Sequence, residues 1–189
     1  MYRFTYQKRT YLPMEQMGWE EWQECLRIAK PIVERIRNGE EELKTTLPGA
    51  CFQAADFAVS TGTKKYNKGK RGRWREQRYA YLSGLAVIDI DHCGNPRELF
   101  ERIKAQFDLK AEGILLVYVS ARGEGLKIVF KTRKEWSNLI CQQYEMAQLL
   151  GILDYVDDSC KDSSRLSFLT GEDDVLYCNE KELFNHQNV

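Results

Sequence analysis

The sequence lacks features that identify several common classes of protein, namely paired cysteines, clustered histidines and long apolar runs. Six cysteines are scattered along the chain with no C-x-x-C pair, and histidine occurs only at His92 and His186. This spacing argues against a zinc ribbon and, with no secretory leader, indicates a reduced cytoplasmic protein. No apolar run approaches the roughly 18 residues that a membrane-spanning helix needs. We therefore expect no contact with a membrane.

An excess of one charge is also missing, because 28 basic residues balance 28 acidic ones in a chain of 189 residues. The charge is nevertheless segregated. Residues 64–78, called the basic loop below, hold eight basic side chains and one acid, whereas residues 154–162 hold four aspartates and one lysine. The length suggests one domain, or a core domain with an appended module.

The basic loop contains glycines and interleaved aromatic residues, which is typical of a mobile connection. It is either a solvated loop or a contact for nucleic acid, since lysine and arginine displace counterions from phosphates and aromatic rings stack on bases. The candidate nucleic-acid-binding residues are Lys64, Lys65, Lys68, Lys70, Arg71, Arg73, Trp74 and Arg75.

Residues 84–91, GLAVIDID, form the most informative stretch and predict a β-strand. Alternation puts one apolar face against a second face that ends in two carboxylates, Asp89 and Asp91. Neighbouring buried carboxylates destabilise each other's charge, and a hard divalent cation such as magnesium would compensate. A D-x-D pair alone is a weak signal, since a strand end that runs into solvent has the same pattern.

The apolar pattern on either side of this strand predicts further elements. An amphipathic helix is expected from Trp19, kinked or divided at Pro31 and ended by Asn38 and Gly39. From residue 84 onward the predicted order is β-α-β-β-α-β, the ferredoxin-like order, which places the first strand between the third and the fourth. Its elements after residue 91 are a helix capped by Asn95, strands Ile114–Ser120 and Leu126–Lys131, a helix opened by Thr132–Glu135 and closed by Gly151, and a strand Arg165–Leu169.

Matching the faces of these strands predicts a site. The apolar positions should meet the two helices, and they are Ala86, Ile88, Ile90, Leu126, Ile128, Phe130, Leu166 and Phe168. The opposite face then combines Asp89 and Asp91 with Lys127 and Arg165, in a cleft covered by residues 1–80. Taken singly, these charges and the acidic stretch at 154–162 are most simply solvent-exposed side chains.

An ordered set of motifs resembles the archaeo-eukaryotic primase superfamily of primase-polymerases, most closely its mobile-element branch labelled VirE N-terminal domain. The resemblance covers nearly the whole chain. The matching motifs are Leu43-Lys44, Leu47-Pro48, the D-x-D at Asp89 and Asp91, S-x-x-G-x-G-L-K at residues 120–127, Val156-Asp157, C-K-D-x-S-R at residues 160–165, and Leu176-Tyr177.

The resemblance implies a two-metal site for magnesium or manganese, with Asp89, Asp91 and Asp157 as ligands and Asp158 as a rival for the third place. Lys127 would contact nucleotide phosphate as a permanent cation, where many members of the family have histidine. The other implied nucleotide-binding or phosphate-binding residues are Ser120, Arg122, Gly123, Gly125 and Arg165.

The implied activity is synthesis or extension of primers from ribonucleoside or deoxyribonucleoside triphosphates on single-stranded DNA or RNA, for a mobile element or a phage. An inactive primase-like module that binds nucleic acid or nucleotide for a helicase or a replication initiator is the main alternative. A nucleotide-cyclase-like palm uses the same paired acids, and an RRM-type RNA binder fits the strand order but would need an aromatic platform. The expected architecture is an α+β fold divided into an N-terminal module (1–80), an RRM-like core (81–178) and a tail (179–189).

Overall fold

The computed structural model describes residues 4–157 and 161–184, which form an α+β protein built from antiparallel sheets. The roles predicted for Asp158 and Cys160 fall outside these residues. The helices are α1 Trp19–Arg37, α2 Pro96–Gln106, α3 Leu139–Leu149 and α4 Glu180–Leu183, with short 3-10 helices at Glu41–Thr46, Gln77–Tyr79, Leu153–Tyr155 and Glu172–Asp174. The strands are β1 Thr5–Gln7, β2 Glu15–Gln16, β3 Gly49–Cys51, β4 Ala54–Phe57, β5 Ser60–Thr61, β6 Arg71–Gly72, β7 Ala80–Leu82, β8 Leu85–Ile90, β9 Ile114–Val119, β10 Leu126–Lys131, β11 Ser167–Phe168 and β12 Val175–Cys178.

The central sheet has the order β12-β9-β10-β8, and its neighbours are all antiparallel. The predicted alternation along β8 and β10 is confirmed, because their helix-facing side chains share one core with side chains of α2 and α3. The opposite face carries Leu85, Val87 and Val129, which pack against Phe4, Trp22 and other residues near the N-terminus, also as predicted. Buried apolar side chains on both faces therefore fix the register of β8.

The strand order differs from the ferredoxin-like order at the fourth strand. The predicted strand at residues 165–169 is reduced to β11, and β11 pairs with β3 in a second sheet of order β11-β3-β1-β2. The segment before β11 is held by that half of the molecule, since Gln53 donates to the carbonyl of Asp162 at 2.8 Å. Leu166 and Phe168 consequently do not join the helix-facing core of the central sheet.

Beside β8, the place expected for the fourth strand is taken by a short segment around Val156. Val156 forms an antiparallel bridge with Ile90. The N–H of Asp157 donates to the carbonyl of Asp89 at 2.9 Å, and the N–H of Asp91 donates to the carbonyl of Tyr155 at 3.1 Å. These contacts keep Asp157 next to the end of β8.

The helix ends predicted from the sequence are confirmed in part. Asn95 caps α2 by accepting the N–H of Arg97 at 3.1 Å, as predicted. Helix α3 begins at Leu139 rather than near Thr132, because Asn138 supplies the cap by accepting the N–H of Cys141 at 3.1 Å. The Thr132 hydroxyl instead donates to the carbonyl of Gly84 at 3.1 Å and ties this segment to the sheet.

Helix α1 packs over the central sheet and is not divided at Pro31, because it continues to Arg37 before Asn38 and Gly39 end it. Proline lacks only one donor, so the remaining turns hold the helix together. The predicted tail at residues 179–189 includes α4, whose Leu183 is fully buried. Among the helices of the described residues, none is both long enough and apolar enough to cross a bilayer.

Candidate functional site

A charged cleft of about 320 Å³ opens between the end of the central sheet and the N-terminal residues. Side chains from β8, from the β9–β10 connection and from residues before residue 80 all contribute to it. Basic and acidic side chains line it in nearly equal number. The basic residues are Lys44, Arg75, Arg122, Lys127 and Arg165, and the acidic residues are Asp89, Asp91, Glu124 and Asp157.

Asp89 and Lys127 form a buried ion pair at the base of the charged cleft. The two residues lie directly opposite each other on β8 and β10, so their side chains point to the same face of the sheet. Only 7% of Asp89 and 8% of Lys127 is exposed. Each charge therefore offsets the cost of burying the other, and removing either one leaves an uncompensated buried charge.

Asp91 and Asp157 are the other two acids predicted from sequence, and both line the same cleft. Asp91 is exposed and its carboxylate makes no ion pair or hydrogen bond with any described residue. Asp157 is half-buried and pairs with Arg165 at 3.4 Å. Arg165 thus reaches the cleft as predicted, although it comes from the coil before β11 and not from the central sheet.

The three acids supply oxygen ligands of the kind that a hard divalent cation prefers. Within the part of the chain that the structure describes, however, no three histidine, cysteine or acidic side chains are grouped tightly enough to hold a metal as they stand. Asp89 forms an ion pair with Lys127, and Asp157 forms one with Arg165. The donor set fits such a cation in kind, provided that Asp89 exchanges its lysine partner for the metal.

The connection between β9 and β10, residues 120–125, is called the glycine hairpin. Gly123 has a φ of +83°, which glycine adopts without strain, and a Cβ on Gly125 would lie 1.9 Å from the carbonyl oxygen of Ile90. The N–H of Gly125 donates to the Ser120 hydroxyl at 3.2 Å. Both glycines and Ser120 therefore shape this hairpin, which brings Lys127 beside Asp89.

A cluster centred on the buried Asp174 supports the glycine hairpin from behind, and sequence reasoning missed it. Arg37 donates to the carbonyls of Ser120 and Ala121, each at 3.2 Å. Its guanidinium is held by Asp174, only 5% exposed, which also accepts from Arg97 at 2.9 Å. No local pattern identifies this cluster, since its members lie far apart in the sequence.

At the mouth of the cleft, Arg122 pairs with Glu41 at 2.7 Å, and both side chains are exposed. Arg122 thus lines the cleft as predicted and reaches across to the 3-10 helix at Glu41–Thr46. An exposed pair of this kind contributes little to stability and exchanges partners easily.

Strands β5 and β6 form a short hairpin that contains the first part of the basic loop, and the lysines of the loop are exposed. Trp74 does not offer a stacking surface as predicted, because it is 6% exposed and its indole N–H donates to the carbonyl of Lys70 at 3.0 Å. The side chain of Arg75 lines the charged cleft and donates to the carbonyl of Ser164 at 2.7 Å. Tyr66, half of which is exposed, is the aromatic ring that the loop presents.

Lys44 and His92 also line the cleft, and neither was assigned a role from the sequence. Lys44 lies on the 3-10 helix Glu41–Thr46, and the Leu43-Lys44 motif of the resemblance marks this position without giving its side chain a role. His92 follows the D-x-D directly, and its φ of +51° is uncommon for any residue other than glycine. A histidine immediately after a predicted metal-binding strand was the available signal.

The buried cysteines offer no alternative nucleophilic site. Burial raises the pKa of Cys25 to about 11 and that of Cys51 to about 12. At neutral pH these thiols stay protonated, and the thiolate is the reactive form.

These observations define an α+β protein whose charged cleft lies where two antiparallel sheets meet. The family model described as BT4734-like, N-terminal domain, matches residues 64–177, which is more than half of the chain. The chain therefore belongs to this family. No curated protein and no solved structure matches the chain significantly. The matched residues run from the basic loop through the D-x-D and the glycine hairpin into β12.

Proposed function

We propose that this protein is a metal-dependent nucleotidyltransferase of primase-polymerase type, which makes or extends primers on single-stranded nucleic acid for a mobile element or a phage. One observation carries the proposal. Three carboxylates from two separate segments, Asp89 and Asp91 on one and Asp157 on the other, line a single cleft together with five basic side chains.

The finer fold that we propose is a ferredoxin-like core with a reduced fourth strand. The order β8-α2-β9-β10-α3 agrees with the first five elements of that core, and both helices pack on one face of the sheet. The Val156 segment lies antiparallel beside β8, where the fourth strand would be. In this interpretation β12 is an addition at the opposite edge of the sheet.

In the proposed site, Asp89, Asp91 and Asp157 would hold magnesium or manganese. When bound, such ions activate a hydroxyl nucleophile and stabilise a pyrophosphate leaving group. The residues of the chain would orient the substrate. Lys127, released from Asp89, would turn its ammonium to phosphate, and Arg122 would exchange Glu41 for phosphate oxygens.

Lys127 would act through its charge, because a lysine ammonium is a compact cation with three hydrogen-bond donors for phosphate oxygens. The exposed lysines of the basic loop would hold the phosphates of the template strand. Substrates would be ribonucleoside or deoxyribonucleoside triphosphates, and a helicase would be a suitable partner for such a primase.

A second candidate is a primase-like module that binds nucleic acid or nucleotide without catalysis. It is favoured by the ion pairs of Asp89 with Lys127 and of Asp157 with Arg165, and by the lack of a preformed group of metal ligands among the described residues. Such a module would tolerate loss of Asp91 with its binding intact.

Incorporation of labelled nucleotides on single-stranded DNA, with magnesium or manganese and with or without a primer, tests the proposal. Asp91→Asn is the sharpest variant, since its exposed carboxylate makes no contact on which folding depends. We expect a loss of at least about a hundredfold in rate, because a ligand of the reacting centre is removed. Asp173→Asn is the matched control, because among the described residues the carboxylate of that exposed aspartate pairs only with Lys30, and Lys30 keeps a second partner, Glu172.

Asp89→Asn is a second variant whose stability must be measured beside its activity, since it leaves Lys127 without its partner. Folded wild-type protein that binds single-stranded DNA but incorporates no nucleotide would favour the binding module. Equal rates for wild type and Asp91→Asn would remove the D-x-D from the mechanism.

A further inference from the structure

Lys44 differs from the other basic residues of the charged cleft in what its side chain contacts. Arg75, Arg122, Lys127 and Arg165 each bind an oxygen of the chain. Within the described residues, the Lys44 ammonium makes no ion pair and no hydrogen bond, although the residue is half-buried and lines the cleft. A half-buried cation without a partner costs free energy, so this position points to a ligand.

The neighbours of Lys44 add to this cost. Burial lowers the pKa of Lys44, and the charges of Arg122 and Lys127 lower it further, against the opposite effect of Asp91 and Asp89. Arg122 and Lys127 are therefore close enough to Lys44 for the three cations to repel one another in the cleft. An anion between them would remove the repulsion and would supply the oxygen partner that Lys44 lacks.

We propose that Lys44 is a phosphate-binding residue which, with Arg122 and Lys127, binds the polyphosphate of a nucleoside triphosphate. This deepens the proposed function and rests on it for the identity of the ligand. Three cations from different segments suit a polyphosphate better than a single phosphate, because an extended chain of phosphates presents oxygens to each of them.

The proposal also assigns a role to the N-terminal residues. Lys44 belongs to the 3-10 helix at Glu41–Thr46, whereas Lys127 belongs to the central sheet. A ligand held by both would bridge the two halves of the molecule. Glu41 on the same 3-10 helix already reaches Arg122, so the two sides of the cleft are in contact before the ligand binds.

Calorimetric titration of the full chain with ATP, AMP and inorganic tripolyphosphate, with and without magnesium, tests the proposal. The variants are Lys44→Gln and Lys44→Arg, and Lys104→Gln is the control, since Lys104 is exposed on α2 beside Glu101. We expect Lys44→Gln to bind ATP and tripolyphosphate about tenfold more weakly or worse, as loss of one charge-assisted hydrogen bond implies. AMP binding should change little, and Lys44→Arg should retain most of the affinity for ATP.

Thermal unfolding separates ligand binding from a structural role. The ligand-free Lys44→Gln variant should unfold at the wild-type temperature or above it, because an unfavourable charge is removed. It should lose most of the rise in unfolding temperature that tripolyphosphate gives the wild type. A lower unfolding temperature without ligand would make Lys44 a structural residue and overturn the proposal.

The remaining outcomes distinguish this inference from the proposed function. Binding of ATP that depends on Lys44, with no nucleotide incorporation by the wild type, would support the inference while the proposed function fails. Nucleotide incorporation by the wild type, with unchanged ATP affinity in Lys44→Gln, would overturn the inference alone. Folded wild-type protein that binds neither ATP nor tripolyphosphate would overturn the inference as well.

Discussion

Gly125 has no room for a side chain, because the first carbon atom added to it would meet the carbonyl oxygen of Ile90 at 1.9 Å. The glycine hairpin must therefore move if this residue is changed. We predict that Gly125→Ala destabilises the protein by about 3 kcal/mol, the upper part of the range for overpacking. It should also lower the affinity of the charged cleft for its ligands, since Lys127 follows two residues later. Urea unfolding and titration with tripolyphosphate measure the two effects.

Gly69→Ala is the control for this prediction. Gly69 has a φ of +76°, but no atom lies within 4 Å of an added Cβ. Strain of the left-handed backbone should be the only effect there, and it should lower the free energy of unfolding by about 1 kcal/mol. Equal destabilisation by the two substitutions would show that the hairpin adjusts and that the close approach to Ile90 does not constrain it.

At the residue scale, sequence alternation predicted which side chains of β8 share a face, and Asp89 lies opposite Lys127 as the matching of faces predicts. The environment of Trp74 could not be predicted. An aromatic residue among lysines has the same pattern whether its ring is exposed or packed under the hairpin, and the hydrogen bond to the carbonyl of Lys70 decides it. That the Lys44 ammonium makes no ion pair or hydrogen bond within the described residues likewise could not be predicted, because it depends on residues distant in the sequence.

At the scale of single elements, the β5–β6 hairpin carries an exposed cluster of lysines. If the basic loop binds the template, substituting Lys64, Lys65 and Lys68 with glutamine should reduce the salt dependence of single-stranded DNA binding. Removing one lysine–phosphate interaction lowers the slope of log K against log salt by about 0.7, so removing three lowers it by about 2. Fluorescence anisotropy over a series of salt concentrations measures the slope.

A variant with glutamine at Lys104, Lys110 and Lys134 is the matched control. These lysines are exposed and lie outside the basic loop, and the change in net charge is identical. The same decrease in slope in both variants would attribute the binding to net charge alone, and the basic loop would then be an ordinary solvated hairpin.

The elements themselves were predictable where periodicity and caps agree, as at α2 with its Asn95 cap. The start of α3 was predicted too early, since Thr132 and Glu135 have the spacing of a capping box while Asn138 makes the cap. The partner of β11 was unpredictable for a different reason. Alternation in residues 165–169 predicts a face, but it carries no information about which sheet the strand joins.

At the scale of the whole molecule, the central sheet is buried on both faces. One face packs on α2 and α3, and the other packs on residues near the N-terminus. We predict that a fragment of residues 81–189 does not fold cooperatively, because Leu85, Val87 and Val129 would be exposed to water. Circular dichroism during heating, together with binding of a hydrophobic dye, tests this.

Addition of a separate peptide of residues 1–80 is the control, since it should restore a cooperative transition if the missing cover is the only defect. Cooperative unfolding of the fragment alone would show instead that residues 81–189 form an independent domain. The sequence predicted that residues 1–80 cover this face, because β8 and β10 carry apolar residues on it. It did not predict that β11 would join the covering sheet.

The bridge between Val156 and Ile90 has a consequence for how the acids of the cleft move. Asp89 lies on β8, which β10 holds along its full length, whereas Asp91 follows the end of β8, and the backbones of Asp91 and Asp157 are joined to the neighbouring segment by one bridge and its two flanking hydrogen bonds. Amide protons of Asp91 and Asp157 should therefore exchange with solvent faster than those that β8 donates to β10. Opening of this bridge would let Asp157 move away from the strand that keeps Asp89 in place, which would give a bound ion or product a route of release that leaves the sheet intact.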